Sequence, residues 1–389
     1  MANFYGTDAA DNHTGTEDQF YGGAGADTLE GTGSSGQLID GGADSDLITG
    51  GQGNDILIGG SGDDIVWGVY GAASDDVIYG GSGFNGLYGF DGNDTIFGDD
   101  GNNPANYLFL NPWKGGLYGG NGDDYLDAGT GSSYLSGDAG NDVLVGGVGA
   151  DSLYGGDGND ALFGVSGTAI LSGDAGDDII YGSSSNDTAY GGAGNDTLVG
   201  VGGLDVQEGD DGNDYIYLSP GSGSMAYGGS GNDVLVASQG NAIMIGDDGD
   251  DTMFGYVGQD YFYGGAGNDQ MFGGDGTDVL IGGAGNDYFD GGSGVNYYFG
   301  GNGGGPGSGV GLDTFVVNDV PGVQVIQDWA QPNDTVLFVG SGFTSFADVI
   351  AHSYQNGAYL VVQVDSDTAV WLNGATAATV TAANFSIAN

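Results

Sequence analysis

A nine-residue unit recurs along this chain and constrains its fold more than any other feature. GGQGNDILI at 50–58 is followed directly by GGSGDDIVW at 59–67, and from 119 to 299 the register is nearly unbroken. GGNGDDYLD, GDAGNDVLV, GGDGNDALF and GGAGNDTLV are among the copies. Roughly eighteen nonamers keep Gly at the fourth position and Asp at the sixth, and self-similarity at a short fixed period is the signature of stacked repeats.

The unit has a mechanical reading. Its first six residues form a turn, where glycine permits positive φ and close approach of the next coil. Its last three form a short strand whose side chains alternate in and out. The middle strand position should point inward. It reads Leu57, Val66, Ile96, Leu126, Leu135, Leu144, Leu153, Leu162, Leu171, Ile180, Leu198, Ile216, Leu235, Met253, Leu280 and Phe289, an apolar stripe. Two nonamers make one coil, and coils stacked at about 4.8 Å enclose a thin core between two parallel sheets. The expected fold is all-β: a parallel β-roll, a right-handed β-helix-like solenoid, over 22–311, after a lead-in or first coil at 1–21.

Two interruptions are visible, GVYGAAS near 68–74 and a longer insertion at 102–116 with Pro104, Pro112, Trp113 and Lys114. Insertions in repeat proteins map to surface loops, on a face that often binds. Three inward positions, Ala189, Gln207 and Ala226, lack the usual Leu or Ile, so either the roll narrows there or the ten-residue unit LSPGSGSMAY shifts the register. After GGNGGGPGSGVG at 300–311, residues 312–389 carry ordinary strand signals: FVV at 315–317, VQVI at 323–326, TVLFV at 335–339, YLVVQV at 359–364 and AVWL at 369–372. FADVIAHSY at 346–354 reads as a short helix with Ser345 as N-cap. This segment is expected to form a small β-rich cap.

Charge then decides the chemistry. The 389 residues hold 54 acidic side chains against one Lys and two His, a formal charge of −53. Self-repulsion of that size opposes compaction. The acids are spread through the repeats, so the fold gathers them and a cation has to neutralise them. Nucleic acid and anionic membrane surfaces are excluded as partners by charge. The absence of cysteine removes disulfides and thiolate metal sites. No apolar run approaches the roughly eighteen residues a membrane span needs. The start, MANFYGTDAADNHTG, has neither a basic region nor an apolar core, so a cleavable signal peptide is not expected.

Calcium takes six to eight oxygens, carboxylate and carbonyl alike. One GGxGxD turn offers a single carboxylate and several carbonyls, so two stacked turns are needed, and aspartates one coil apart should cooperate. The candidate metal ligands are Asp27, Asp46, Asp55, Asp64, Asp94, Asp124, Asp142, Asp151, Asp160, Asp178, Asp187, Asp196, Asp205, Asp214, Asp233, Asp251, Asp260, Asp269, Asp278 and Asp287. Alternate nonamers fall on opposite sides. From Asp124 to Asp287 one side keeps the acid in every turn. The other reads Ser133, Asp151, Ala169, Asp187, Asp205, Ser224, Ala242, Asp260, Asp278 and Asn296. One edge should therefore hold an unbroken file of Ca2+ ions, the other only isolated ones around Asp187–Asp205 and Asp260–Asp278.

These turns resemble the RTX (repeats-in-toxin) nonapeptide GGxGxDxUx, a calcium-binding repeat. The resemblance covers about residues 20–315. GLDTFVV, VQVIQDW and PNDTVLFV are also similar to the region that ends the repeats of RTX proteins. That implies an uncleaved C-terminal signal, with TVTAANFSIAN as its end, routing the chain through a type I ABC exporter. The implied location is extracellular, with the chain unfolded at low cytosolic calcium and folded outside.

An enzyme is not expected. There is no HExxH and no G-x-S-x-G, and His13 and His352 are the only histidines. The last position of each nonamer, among them Trp67, Tyr79, Tyr88, Phe97, Phe163, Tyr181, Phe254 and Phe272, gives both sheets an apolar, aromatic outer face. The expectation is a secreted structural protein that self-assembles with calcium into a surface layer, filament or matrix, as a homo-oligomer or polymer. Assembly is expected to use the thinly covered N-terminal end of the roll as well. The alternative is an adhesin-like module that binds a glycan, a host or another surface protein, or a calcium-dependent accessory domain of a secreted system.

Overall fold

A computed structural model of the chain describes residues 3–69, 73–98, 116–221, 223–301, 311–329 and 334–388. Strand accounts for 54% and helix for 3%, and the chain is a parallel β-solenoid, as the period demands. It divides into two compact units, Met1–Thr197 and Leu198–Asn389. The 102–116 insertion lies outside the described residues apart from Gly116, as do 70–72 and most of the glycine-rich stretch before Gly311.

In the first unit, successive strands alternate between two parallel sheets. Leu126, Leu144, Leu162 and Ile180 stack in register on one sheet. Leu117, Leu135, Leu153, Leu171 and Ala189 stack on the other. The alternation is the cause: in Val143–Val145 only the middle residue is buried, while its neighbours face outward. Burying a Leu side chain fully contributes about 1.5–3 kcal/mol, and each coil supplies two inward positions. The first coil starts before residue 22, because Asn3–Tyr5 pairs with Gln19–Tyr21 and Asn12–Gly15 with Thr28–Gly31. The stacked rings of Phe4 and His13, 3.9 Å apart, lie over Phe20 as a lid on the core.

In the second unit one stack runs Ile216, Leu235, Met253, Met271, Phe289, Phe315 and Val336. The facing stack runs Gln207, Ala226, Met244, Phe262, Leu280, Tyr298, Ile326 and Leu372. Side chains thus grow along this unit, from Ala226 to Phe262 and Tyr298. Ala189, Gln207 and Ala226 all occupy inward positions, 3%, 2% and 0% exposed. The ten-residue unit does not shift the register, because Gln207 still pairs with Ala226. The inward positions are filled by smaller or polar side chains instead.

Strands continue past Gly311 on both sheets. Thr314–Asn318, Thr335–Val339 and Phe385–Ala388 extend one in parallel. Gly322–Ile326 and Thr368–Asn373 extend the other, and an antiparallel ribbon of Tyr359–Gln363 and Ser353–Asn356 follows. The helix is Phe346–Ala351, with the Ser345 side chain accepting from the Asp348 N–H.

Candidate metal centre

The turn Gly155–Asp160 shows how the repeat builds a site. Gly156 and Gly158 hold φ of +116° and +134°, the left-handed half of the map that glycine enters freely. A side chain on Gly158 would overlap the Gly140 carbonyl of the preceding coil, so no other residue lets these turns stack as closely. The packing brings Asp160 inside, only 2% exposed. The Asp142 N–H donates to its Oδ1 at 2.7 Å. Its Oδ2 is buried without a hydrogen-bond partner. A Cβ placed on Gly155 would overlap that Oδ2 and lie 2.7 Å from the Gly173 carbonyl oxygen of the next coil. Two buried acceptors face one small hollow with no donor between them, an arrangement that costs free energy unless a cation joins them.

The motif repeats along the first unit. Asp76, Asp94, Asp124, Asp142, Asp160 and Asp178 each accept on Oδ1 the N–H of the residue one coil earlier, at 2.5–2.8 Å. In all six the Oδ2 has no hydrogen-bond partner. Asp196 accepts from Asp178 in the same way, at 2.7 Å. This is the edge expected to be continuous. In the first coils, however, the same geometry stands on the opposite edge, at Asp27, Asp46 and Asp64. The file changes edge between Asp64 and Asp76.

Other candidates are held differently. Asp55 accepts the Gln37 N–H on one oxygen and the Gly51 N–H on the other, both at 2.6 Å. Asp187 takes N–H groups from Ala169 and Ser183. Asp151 has an Oδ2 with no hydrogen-bond partner, but the next coil offers Ala169 where a second carboxylate would stand.

In the second unit the relay runs from Asp214 to Asp233, Asp251, Asp269, Asp287 and Asp313, at 2.8–3.0 Å. The last five keep an Oδ2 without a hydrogen-bond partner. On the other edge the Asp205 backbone N–H donates to the Ser224 hydroxyl at 3.3 Å, and the Asp260 N–H donates to Asp278 Oδ1 at 3.0 Å. Asp76 and Asp313 escaped the sequence reading because their turns lack the GGxGxD spelling. The available signal was an Asp directly before an apolar strand, Val77–Ser82 or Thr314–Asn318, whose second residue is the buried Ile78 or Phe315.

Burial raises the carboxyls from Asp76 to Asp178 and from Asp233 to Asp313 along the two relays. Loss of solvent is the largest cause for each, partly offset by the N–H bond to Oδ1. Asp142, Asp178 and Asp251 are pushed up to about 7. Asp124 and Asp287, with acidic neighbours on both coils, reach about 8. Among the described residues no three His, Asp or Glu side chains converge on one point. A cage here has to draw most of its oxygens from backbone carbonyls, which calcium accepts and softer metals do not.

The RTX calcium-binding nonapeptide repeat, in groups of four copies, matches residues 14–38, 40–68, 70–103, 117–135, 136–171, 163–198, 172–207, 190–225, 227–262, 236–271, 245–280 and 272–305, well over half of the chain. The chain belongs to the RTX calcium-binding nonapeptide repeat family. Calcium is the cofactor of this RTX chain, and its many repeats imply several ions. RTX repeat proteins are typically secreted, and their β-roll is a structural fold. No helix among the described residues is long and apolar enough to cross a membrane. No curated protein matches the RTX chain. Among solved structures, the extracellular lipase LipA from Serratia marcescens is 17% identical, over 66% of this chain and 42% of the lipase, with a TM-score of 0.20. The RTX chain therefore spans less than half of that lipase.

Proposed function

We propose that this RTX chain is an extracellular structural protein that calcium folds and that then assembles with itself into a layer, filament or matrix. The observation that carries the calcium half is the recurring hollow between a buried Oδ2 and a glycine carbonyl of the next coil. Asp27, Asp46 and Asp64, then Asp76 through Asp178, hold ions in the first unit. Asp233 through Asp313 and the Asp260–Asp278 pair hold them in the second. Asp55 and Asp187, whose oxygens are taken by N–H groups, act as braces. When bound, calcium neutralises the carboxylates. The chain contributes the glycine turns that aim the oxygens and the N–H groups that fix each Oδ1. Low calcium inside the cell leaves the repeats open for a type I exporter, and high calcium outside closes them.

The assembly half is supported by the outer faces. Tyr79 and Phe97 stack at 5.1 Å, Phe163 and Tyr181 at 5.5 Å, and Phe254 and Phe272 at 5.0 Å, while Tyr88 and Tyr118 stack at 4.8 Å on the opposite sheet. Rings in such ladders shield their faces from one another and present regular apolar strips that suit a flat partner. Electron microscopy and sedimentation with calcium and with chelator test the reading. Ordered polymers with calcium only are expected. A protein that stays monomeric in calcium and binds a glycan array would replace this reading with an adhesin-like one.

A further inference from the structure

Within each unit the two turn edges differ in what they show to solvent. In the first unit the edge containing Asp124 exposes the carboxylates of Asp123, Asp138, Asp157, Asp174 and Asp177. The opposite edge, between 128 and 187, has only Asp151 and Asp187, which are 2% and 4% exposed. It shows Val148 and Val165 instead, 56% and 51% exposed. The second unit repeats the contrast. The Asp233 edge presents Asp210, Asp211, Asp247, Asp248 and Asp250, whereas the opposite edge between 200 and 260 presents Val201, Leu204, Tyr256 and Val257, each about half exposed.

The backbone adds an independent observation. Val165 and Tyr256 occupy the second turn position with φ of 62° and 61°. On the acidic edges the equivalent residue is Asp at Asp138, Asp174, Asp210 and Asp247, with φ of 71–72°, and a bulky side chain stands there at Phe90, with φ of 81° and half-buried. Asp tolerates this left-handed conformation and bulky side chains do not. Val165 and Tyr256 are held there about half exposed, outside the core, and the Tyr256 ring lies 6.3 Å from that of Phe254.

We propose that these apolar, carboxylate-poor edges are the surfaces through which two copies of this chain meet. The inference rests on the self-assembly reading and specifies its contact. The occupant follows from charge: a chain with a formal charge of −53 and one Lys offers a second copy almost no place to approach without opposing carboxylates. The strips around Val165 and Tyr256 are such places, and a self-complementary patch closes a symmetric pair.

The test is a doubly substituted full chain, Val165→Asp with Tyr256→Asp, followed by analytical ultracentrifugation in calcium over a range of protein concentration. Asp already adopts this backbone at Asp138 and Asp247, so the calcium-induced circular dichroism should match the unsubstituted chain. A second variant, Val165→Gly with Tyr256→Gly, removes the side chains in a conformation glycine prefers and covers the case in which the first does not fold. The control, Ala175→Asp with Ala266→Asp, adds equal charge to the acidic edges, where Asp157 and Asp248 already stand one coil away. Association weakened at least tenfold in the edge variants but not in the control is expected. Unaltered association in the edge variants overturns this contact while leaving self-assembly standing. A chain that is monomeric before any substitution overturns both.

Discussion

Asp278 and Asn296 sit one coil apart on the same edge, and the Asp278 N–H donates to Asn296 Oδ1 at 3.0 Å. Asp260 makes the same bond to Asp278. The difference lies in the other side-chain atom. Asp278 turns a buried oxygen without a hydrogen-bond partner into its turn, whereas Asn296 turns an amide whose N–H donates to the Gly291 carbonyl at 2.8 Å. Asn296 satisfies internally what Asp278 leaves for a cation.

That comparison predicts how substitution at the sites behaves. Asp142→Asn and Asp142→Ala should both lower the number of calcium ions bound. Only Asn gives a buried carbonyl a donor, so its calcium midpoint for folding should shift less than that of Ala, by about 1 kcal/mol, the usual net worth of such a bond. Isothermal titration and circular dichroism read the two effects. Equal midpoints for Asn and Ala would show that no carbonyl faces the side chain.

Stability in chelator should depend on pH in a definite direction. The carboxyls of Asp124, Asp142, Asp178, Asp251 and Asp287 are raised from an ordinary value of 3.8 to about 7–8 by burial. A raised carboxyl favours the folded state while protonated, so this contribution is fully present below about pH 4 and is lost as pH climbs through 7–8. Without calcium, β signal in circular dichroism should be strongest near pH 4–5 and weakest at pH 8. Calcium should restore it at pH 8. A chelated chain equally folded from pH 4 to 8 would contradict this burial.

Much of this was legible in the sequence because the period leaves few choices. Leu126, Leu144 and Leu162 had to share a face once the nine-residue register was seen, and the strands at 335–339 and 369–372 follow from their apolar runs. The change of edge between Asp64 and Asp76 was not legible. By spelling, GGQGND at 50–55 is as good a site as GGSGDD at 59–64. The structure separates them through strand pairing. Ile56–Ser61 carries its pairing into the turn that ends at Asp64, while Leu47–Thr49 stops short and leaves the Gly51 N–H free to bond Asp55. That depends on neighbouring coils, which no single repeat records.

Packing should also set local mobility. Gln207 and Ala226 supply little apolar volume where Leu135, Leu153 and Leu171 fill the core elsewhere. With calcium bound, amides in Val206–Asp211 and Met225–Ser230 should exchange faster than those in Tyr134–Ala139 and Ser152–Asp157. Equal protection would mean that the small residues leave no looser core.

The most direct test is a crystal of the calcium-loaded chain, with an anomalous difference map collected to locate calcium. A file of ions is expected from Asp76 to Asp178 and another from Asp233 to Asp313. Ions are also expected at Asp27, Asp46 and Asp64, one at the Asp260–Asp278 pair, and none at Asp55. Ions in equal number on both edges, including beside Ser133, Ala169 and Ala242, would contradict this placement.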